Sequence, residues 1–142
     1  MKKLLFAALA AGMFAITACG QKIKESEVPA AVKSAFEKQY PGIKSNWEKE
    51  GKNYEVNFKQ ENKSMSAVID KNGTILETET DIAITDLPQG ARDYVKDHYK
   101  GAKIKEASKI VKSTGELSYE ALVNGTDVIF DATGKFMRTA KE

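Results

Sequence analysis

The sequence predicts an α+β fold built from two tandem units. Each unit reads as a helix followed by about four antiparallel strands. The two units share one extended sheet with both helices on one face. Three observations carry this reading. The chain repeats itself: Val28, Pro29, Val32, Phe36, Tyr40 and Gly42 fall on Leu87, Pro88, Ala91, Val95, Tyr99 and Gly101 at a shift of 59. Farther on, residues 69–78 (IDKNGTILET) lie over 130–139 (FDATGKFMRT) at a shift of 61, and 53–58 (NYEVNF) over 118–123 (SYEALV) at a shift of 65. Within each copy the apolar period changes from helical to two-residue, the mark of a helix followed by strands.

The first residues read as a targeting segment. Lys2 and Lys3 precede an apolar run from Leu4 to Ile16, too short to span a bilayer, which needs about 20 apolar residues. Its length and flanks are those of a signal-peptide core. Ile16-Thr17-Ala18-Cys19 resembles a bacterial lipobox, and Cys19 is the one cysteine of the chain. The resemblance implies removal of residues 1–18 and diacylglycerol on Cys19. Two or more acyl chains hold a protein stably, at roughly 0.8 kcal/mol per buried methylene. A plain secretory signal with an incidental cysteine is the competing reading. Residues 19–27 are polar and read as a lipidated tether. Gly20 in place of aspartate resembles lipoproteins passed on to the outer membrane, facing the periplasm.

Unit one is expected over 28–80 and unit two over 87–142. In each, proline opens the helix, where its fixed φ fits and its missing N–H is not needed. Val28, Val32, Ala35, Phe36 and Tyr40 form one apolar stripe, and Pro41-Gly42 ends the helix. Tyr54, Val56 and Phe58 then alternate with Glu55, Asn57 and Lys59, and Leu117, Tyr119, Ala121 and Val123 with Ser118, Glu120 and Leu122. Such alternation predicts one buried and one solvated face. Asn124-Gly125 predicts a two-residue hairpin turn, and Asn72-Gly73 and Thr133-Gly134 further turns. Residues 81–86 (DIAITD) join the units, with Ile82 and Ile84 predicting an extended, packed segment.

The paired VP…F…YPG and LP…V…YKG helices, the YEV and YEA strands, and the DKNG and DATG turns resemble the PepSY-like family. That family shares the tandem architecture of the secreted beta-lactamase inhibitor protein. The resemblance covers roughly residues 26–140 and its motifs are structural. It implies a secreted or lipid-anchored bacterial protein with a binding or inhibitory role. This chain has none of the cysteine pairs of the inhibitor, so no contact residue is carried over.

Composition excludes some functions. Without residues 1–18, basic and acidic residues are equal at 20 each, and a nucleic-acid binder needs a basic excess. No catalytic constellation, metal-ligand spacing or cofactor motif is present. His98, the only histidine, has no nucleophile marked beside it and is expected to face solvent. Asp70-Lys71-Asn72-Gly73 offers too few oxygens for a calcium loop and reads as a turn. Tyr54 and Tyr119, recurring in both copies, read as architecture. Lys96, Lys100, Lys103, Lys105, Lys109 and Lys112 read as a solvated face. Trp47, the only tryptophan, has two open readings: a lid closing the core over the helix, or an exposed partner-binding anchor.

The expected role is therefore non-catalytic: a lipid-anchored module that meets a protein or peptide partner on the open sheet face, with aromatics interspersed there. A small-ligand or envelope-sensing module is the alternative, and it would need a closed pocket between the units. The lipobox gives the first prediction. Intact-mass analysis of membrane-extracted protein is expected to find a chain beginning at an acylated Cys19, and Cys19→Ser is expected to abolish that modification. An unmodified Cys19 in a fully soluble product would remove the anchor.

Overall fold

The computed structural model describes residues 20–141; Cys19 and the apolar run before it lie outside them. The chain forms one nine-stranded antiparallel sheet in simple sequence order. Strand β1 (Gln21–Ile23) is followed by a 3-10 turn at Glu25–Glu27 and helix α1 (Ala30–Gln39). Strands β2 (Ser45–Glu50), β3 (Asn53–Gln60), β4 (Lys63–Ile69) and β5 (Ile75–Asp81) complete unit one. A second 3-10 turn at Ile84–Asp86 leads to α2 (Gln89–His98), β6 (Glu106–Lys112), β7 (Leu117–Val123), β8 (Thr126–Asp131) and β9 (Phe136–Lys141).

Each unit is thus a helix followed by four strands, as the repeat predicts. Two details differ. Pro29 and Pro88 stand at the N-cap rather than inside the helix, a shift of one position within the usual ambiguity of helix ends. Gln21–Ile23, in the segment read as a tether, pair with β2 from Gln21↔Lys49 to Ile23↔Trp47. Their own backbone groups find partners at the sheet edge, and Ile23 adds to the core. In the connecting segment Ile82 packs into the second core while Ile84, 39% exposed, begins the 3-10 turn. Alternation of two isoleucines did not keep both inside, because the turn rotates the second outward.

Both helices have 10 residues, below the roughly 12–15 at which isolated helices hold in water. Packing on the sheet sustains them. Val32 and Phe36 of α1 meet Trp47, Val56, Phe58, Ala67 and Ile69. Ala91 and Val95 of α2 meet Ala107, Ala121, Val123, Val128 and Phe130. Each such large side chain contributes roughly 1.5–3 kcal/mol on burial. In unit one Phe36 sets its ring edge-on to Trp47 at 5.5 Å and to Phe58 at 5.1 Å. In unit two Tyr94 stacks on Phe136 at 4.7 Å and on His98 at 3.9 Å.

Turns recur with the repeat. Asn124 and Gly125 both have positive φ, as a two-residue hairpin requires, and Glu61 and Asn62 do the same between β3 and β4 without a glycine. Bulges at Val68/Ile69 and Ile129/Phe130 rotate Ile69 and Phe130 into the cores. Asp70 Oδ1 accepts from the backbone N–H of Asn72 at 2.9 Å and of Thr74 at 3.0 Å. Asp131 Oδ1 accepts from Thr133 and Lys135 in the same way. Those carboxylates are spent on turn closure. The two tips dock against the helix starts: a Cβ on Gly73 would lie 2.6 Å from the Ala31 carbonyl oxygen, and one on Gly134 2.7 Å from Pro88 Cβ and 2.9 Å from Ala91 N.

Glycine at 73 and 134 therefore serves two needs, a positive φ and backbone contact. Gly125 has the same positive φ in open space. Thermal melts are expected to show Gly73→Ala and Gly134→Ala each losing about 1–3 kcal/mol of stability, and Gly125→Ala about 1 kcal/mol. Equal losses at all three would show that the docking contact contributes nothing.

Candidate functional site

Ladder register assigns each strand residue to a face. On the helix side Trp47 stands opposite Val56 and Ala67, and Ala107 opposite Ala121 and Val128. The junction of β5 with β6, running from Glu77↔Lys112 to Asp81↔Ser108, keeps the phase, so both helices cover the same face. The opposite face carries no helix among the described residues. One row across it reads Asn57, Ser66, Glu79, Ile110, Ser118. The neighbouring rows read Glu55, Val68, Glu77, Lys112 on one side and Ser108, Glu120, Ile129, Arg138 on the other.

Alternation predicts a solvated face here, and the structure corrects that. Glu55, Glu79, Glu120 and Asp127 are only 5%, 2%, 8% and 1% exposed. Between them lie Val68, Ile110, Leu122 and Ile129, all buried, and none belongs to either core beneath the helices. The face is a band of carboxylates interleaved with branched aliphatics. The aromatics expected on it are elsewhere. Among the described strand residues Trp47, Tyr54, Phe58, Tyr119, Phe130 and Phe136 all pack on the helix side. Larger planar rings fill the space under a helix, whereas the open face takes slimmer side chains.

Burial sets the electrostatics. Desolvation, then the neighbouring charges of Glu50 and Glu48, push Glu55 up to about 8. Glu79 is raised well above the ordinary glutamate range by desolvation, against a hydrogen bond with Ser108, and further by Asp81, Glu77 and Glu55. Glu120 is raised by desolvation, then by Glu79, Asp127 and Glu77, with Arg138 opposing. Glu50, Glu77 and Asp81, less deeply set, are also raised, chiefly by desolvation. Among the described residues no set of three metal-ligating side chains is placed to hold an ion.

The residues singled out from sequence are distributed differently. Trp47 is 4% exposed, edge-on to Phe36; to act as an exposed anchor it would have to leave that cluster. It also lines the floor of a groove with Lys33, Glu37 and Pro41, a hollow within unit one rather than between the units. Tyr54 and Tyr119 border the two cores, Tyr54 with the Lys49 ammonium 4.1 Å above its ring. His98 is exposed, its Nδ1 2.9 Å from the Tyr94 carbonyl oxygen. Lys96, Lys100, Lys103, Lys105 and Lys109 are exposed, and Lys112 pairs with Glu116 at 3.0 Å. Cys19 lies outside the described residues. Sequence reasoning passed over Glu55 and Glu120, although a signal was present: each follows the recurring tyrosine in YEV and YEA.

The raised carboxyls predict a pH dependence of stability. Each binds its proton more tightly in the folded chain than in the unfolded one, so stability is present at low pH and falls as pH rises from the ordinary glutamate range through the raised values. Asp70 and Asp131 are lowered by hydrogen bonds within their turns, and their opposite effect falls below this window. The melting temperature is expected to drop between about pH 5 and about pH 9, the upper end set by Glu120. The double variant Glu79→Gln, Glu120→Gln is expected to flatten that slope; an unchanged slope would show that these groups titrate normally.

Comparison with known proteins agrees with the fold and its duplication. A search of curated proteins finds no match. A crystal structure of a periplasmic protein from Bacteroides eggerthii, described as "putative", superposes with a TM-score of 0.73 at 13% identity, covering 80% of this chain and 88% of that one. A BLIP-like protein from Bacteroides fragilis superposes with a TM-score of 0.61 at 20% identity, covering 80% and 86%. At these identities the likeness is one of fold. The model of the family described as "Putative beta-lactamase-inhibitor-like, PepSY-like" matches twice, over residues 14–77 and 52–138, once for each helix-and-strands unit. The chain belongs to this PepSY-like family.

Proposed function

We propose that this protein is a non-catalytic envelope lipoprotein, held through Cys19 in the outer membrane facing the periplasm, that binds a protein or peptide partner on its helix-free sheet face. The observation that carries the reading is the aliphatic strip of Val68, Ile110, Leu122 and Ile129, which serves neither core. These side chains are buried among their carboxyl-bearing neighbours, on a face that no described helix covers, and a partner docking there would pack against them. The strip spans β4 to β8, five of the nine strands of the sheet.

Further features support the reading. The beta-lactamase-inhibitor-like description of the family fits protein binding, and the structural neighbour from Bacteroides eggerthii is described as periplasmic. Among the described residues no helix is long and apolar enough to cross a membrane. Gln21–Ile23 pair in the sheet, two residues after Cys19 in sequence, so a lipid on Cys19 would be joined to the body by a short stretch of chain.

Crosslinking in intact cells tests both parts. The native protein is expected to crosslink a partner through residues of β4 to β8 on the helix-free face, and Cys19→Ser to lose most of that crosslink by leaving the membrane. Crosslinks confined to the helix side, or unaffected by the release of the lipid, would overturn the respective part.

A further inference from the structure

The centre of the helix-free face holds two polar atoms with nothing to bind. Ser66 and Glu79 stand directly opposite on β4 and β5. Glu79 is 2% exposed and Ser66 6%. Glu79 Oε1 and Ser66 Oγ both lack a hydrogen-bond partner, although Glu79 also engages Ser108 on its other side. A buried acceptor left unpaired costs about 1–3 kcal/mol, and more when it is charged. Such an atom in a folded protein calls for an explanation.

Its surroundings specify what would satisfy it. The groups around Glu79 are the carboxyls of Asp81, Glu77 and Glu55, and a cation bound among them favours the ionised form that burial otherwise disfavours. Metal geometry is not offered among the described residues. Beside the two acceptors stand Val68 and Ile110, which suit a methylene stem. A planar group with several donors and no acceptor, carried on an aliphatic stem, fits this arrangement: a guanidinium has five donors in a fixed fork.

We propose that the helix-free face receives an arginine side chain from an otherwise apolar segment of the partner, the guanidinium donating to Glu79 and Ser66 and the stem lying along Val68 and Ile110. The inference rests on the partner-binding reading of this face and narrows it to a chemistry. Glu120, separated from Glu79 by β6 alone, adds to the attraction. Ser66 has Asp127 as its counterpart in unit two, and Glu79 has Ala140. The pair of acceptors therefore belongs to unit one and is not a by-product of the repeat.

The probe is the acetylated, amidated pentapeptide Ala-Leu-Arg-Leu-Ala, titrated into protein purified after export while backbone amides are followed by NMR. Shifts are expected on β4, β5 and β6. The same peptide with glutamine for arginine is expected to bind at least about tenfold more weakly, as loss of a charged hydrogen bond implies. Glu79→Gln is expected to weaken the arginine peptide equally, with Ser66→Ala weakening it less and a melting curve confirming that both variants fold. Equal affinity for the two peptides, full affinity in Glu79→Gln, absence of any shift, or displacement of the peptide by calcium chloride would each overturn the assignment. Cell crosslinks that persist on this face in Glu79→Gln would remove the arginine and leave the partner. Absence of any crosslink to this face in the native protein would remove the partner, whatever the peptide does.

Discussion

Continuity of the hydrogen-bonded ladder from β5 to β6 is the constraint on which the rest of the molecule depends. Side chains in a strand alternate with a period of two, so a slip of one residue at that junction would turn one whole unit over. The observed register, Glu79↔Ile110 and Asp81↔Ser108, puts α1 and α2 on one side. It also puts Glu79 and Glu120 on the other, near enough for Glu79 to raise Glu120. Two small units become one sheet with a covered face and an uncovered one, and everything proposed for function belongs to the uncovered face.

The two covered cores solve one packing problem with different parts. Where unit one has Phe36, Trp47 and Phe58, unit two has Val95, Ala107 and Val123. Where unit one has Ala35, Ile69 and Ile75, unit two has Tyr94, Phe130 and Phe136. Aromatic volume has moved from one end of the helix–sheet contact to the other. Interiors tolerate such exchange when total volume and patterning hold, and punish an uncompensated cavity. Trp47 makes sense in these terms: its opposite number is Ala107, and its ring packs edge-on to Phe36, where unit two has Val95.

The uncovered face follows another logic. Buried carboxylates are costly unless paired or protonated, and here desolvation raises Glu55, Glu79 and Glu120 together. A chain selected for stability alone would place threonine or valine at those strand positions. Acids there, beside aliphatic residues that serve no core, lower stability at neutral pH, a cost that the proposed arginine would offset.

By itself the sequence determined the duplication, the order of helix and strands, the hairpin at Asn124-Gly125, the turn role of Asp70 and Asp131, and the exposure of His98. These depend on local chemistry and on a period that repeats, which a linear string displays. It also carried the YEV and YEA signal without showing its meaning. The tertiary structure decided the burial of Glu55, Glu79, Glu120 and Asp127, the placement of Trp47 against Phe36, the pairing of Gln21–Ile23 with β2, and the absence of aromatics from the helix-free face among the described residues. Those outcomes depend on which strands lie side by side and what stands across from each residue. A polar position in an alternating strand looks the same in sequence whether water or a neighbouring strand's isoleucine lies over it.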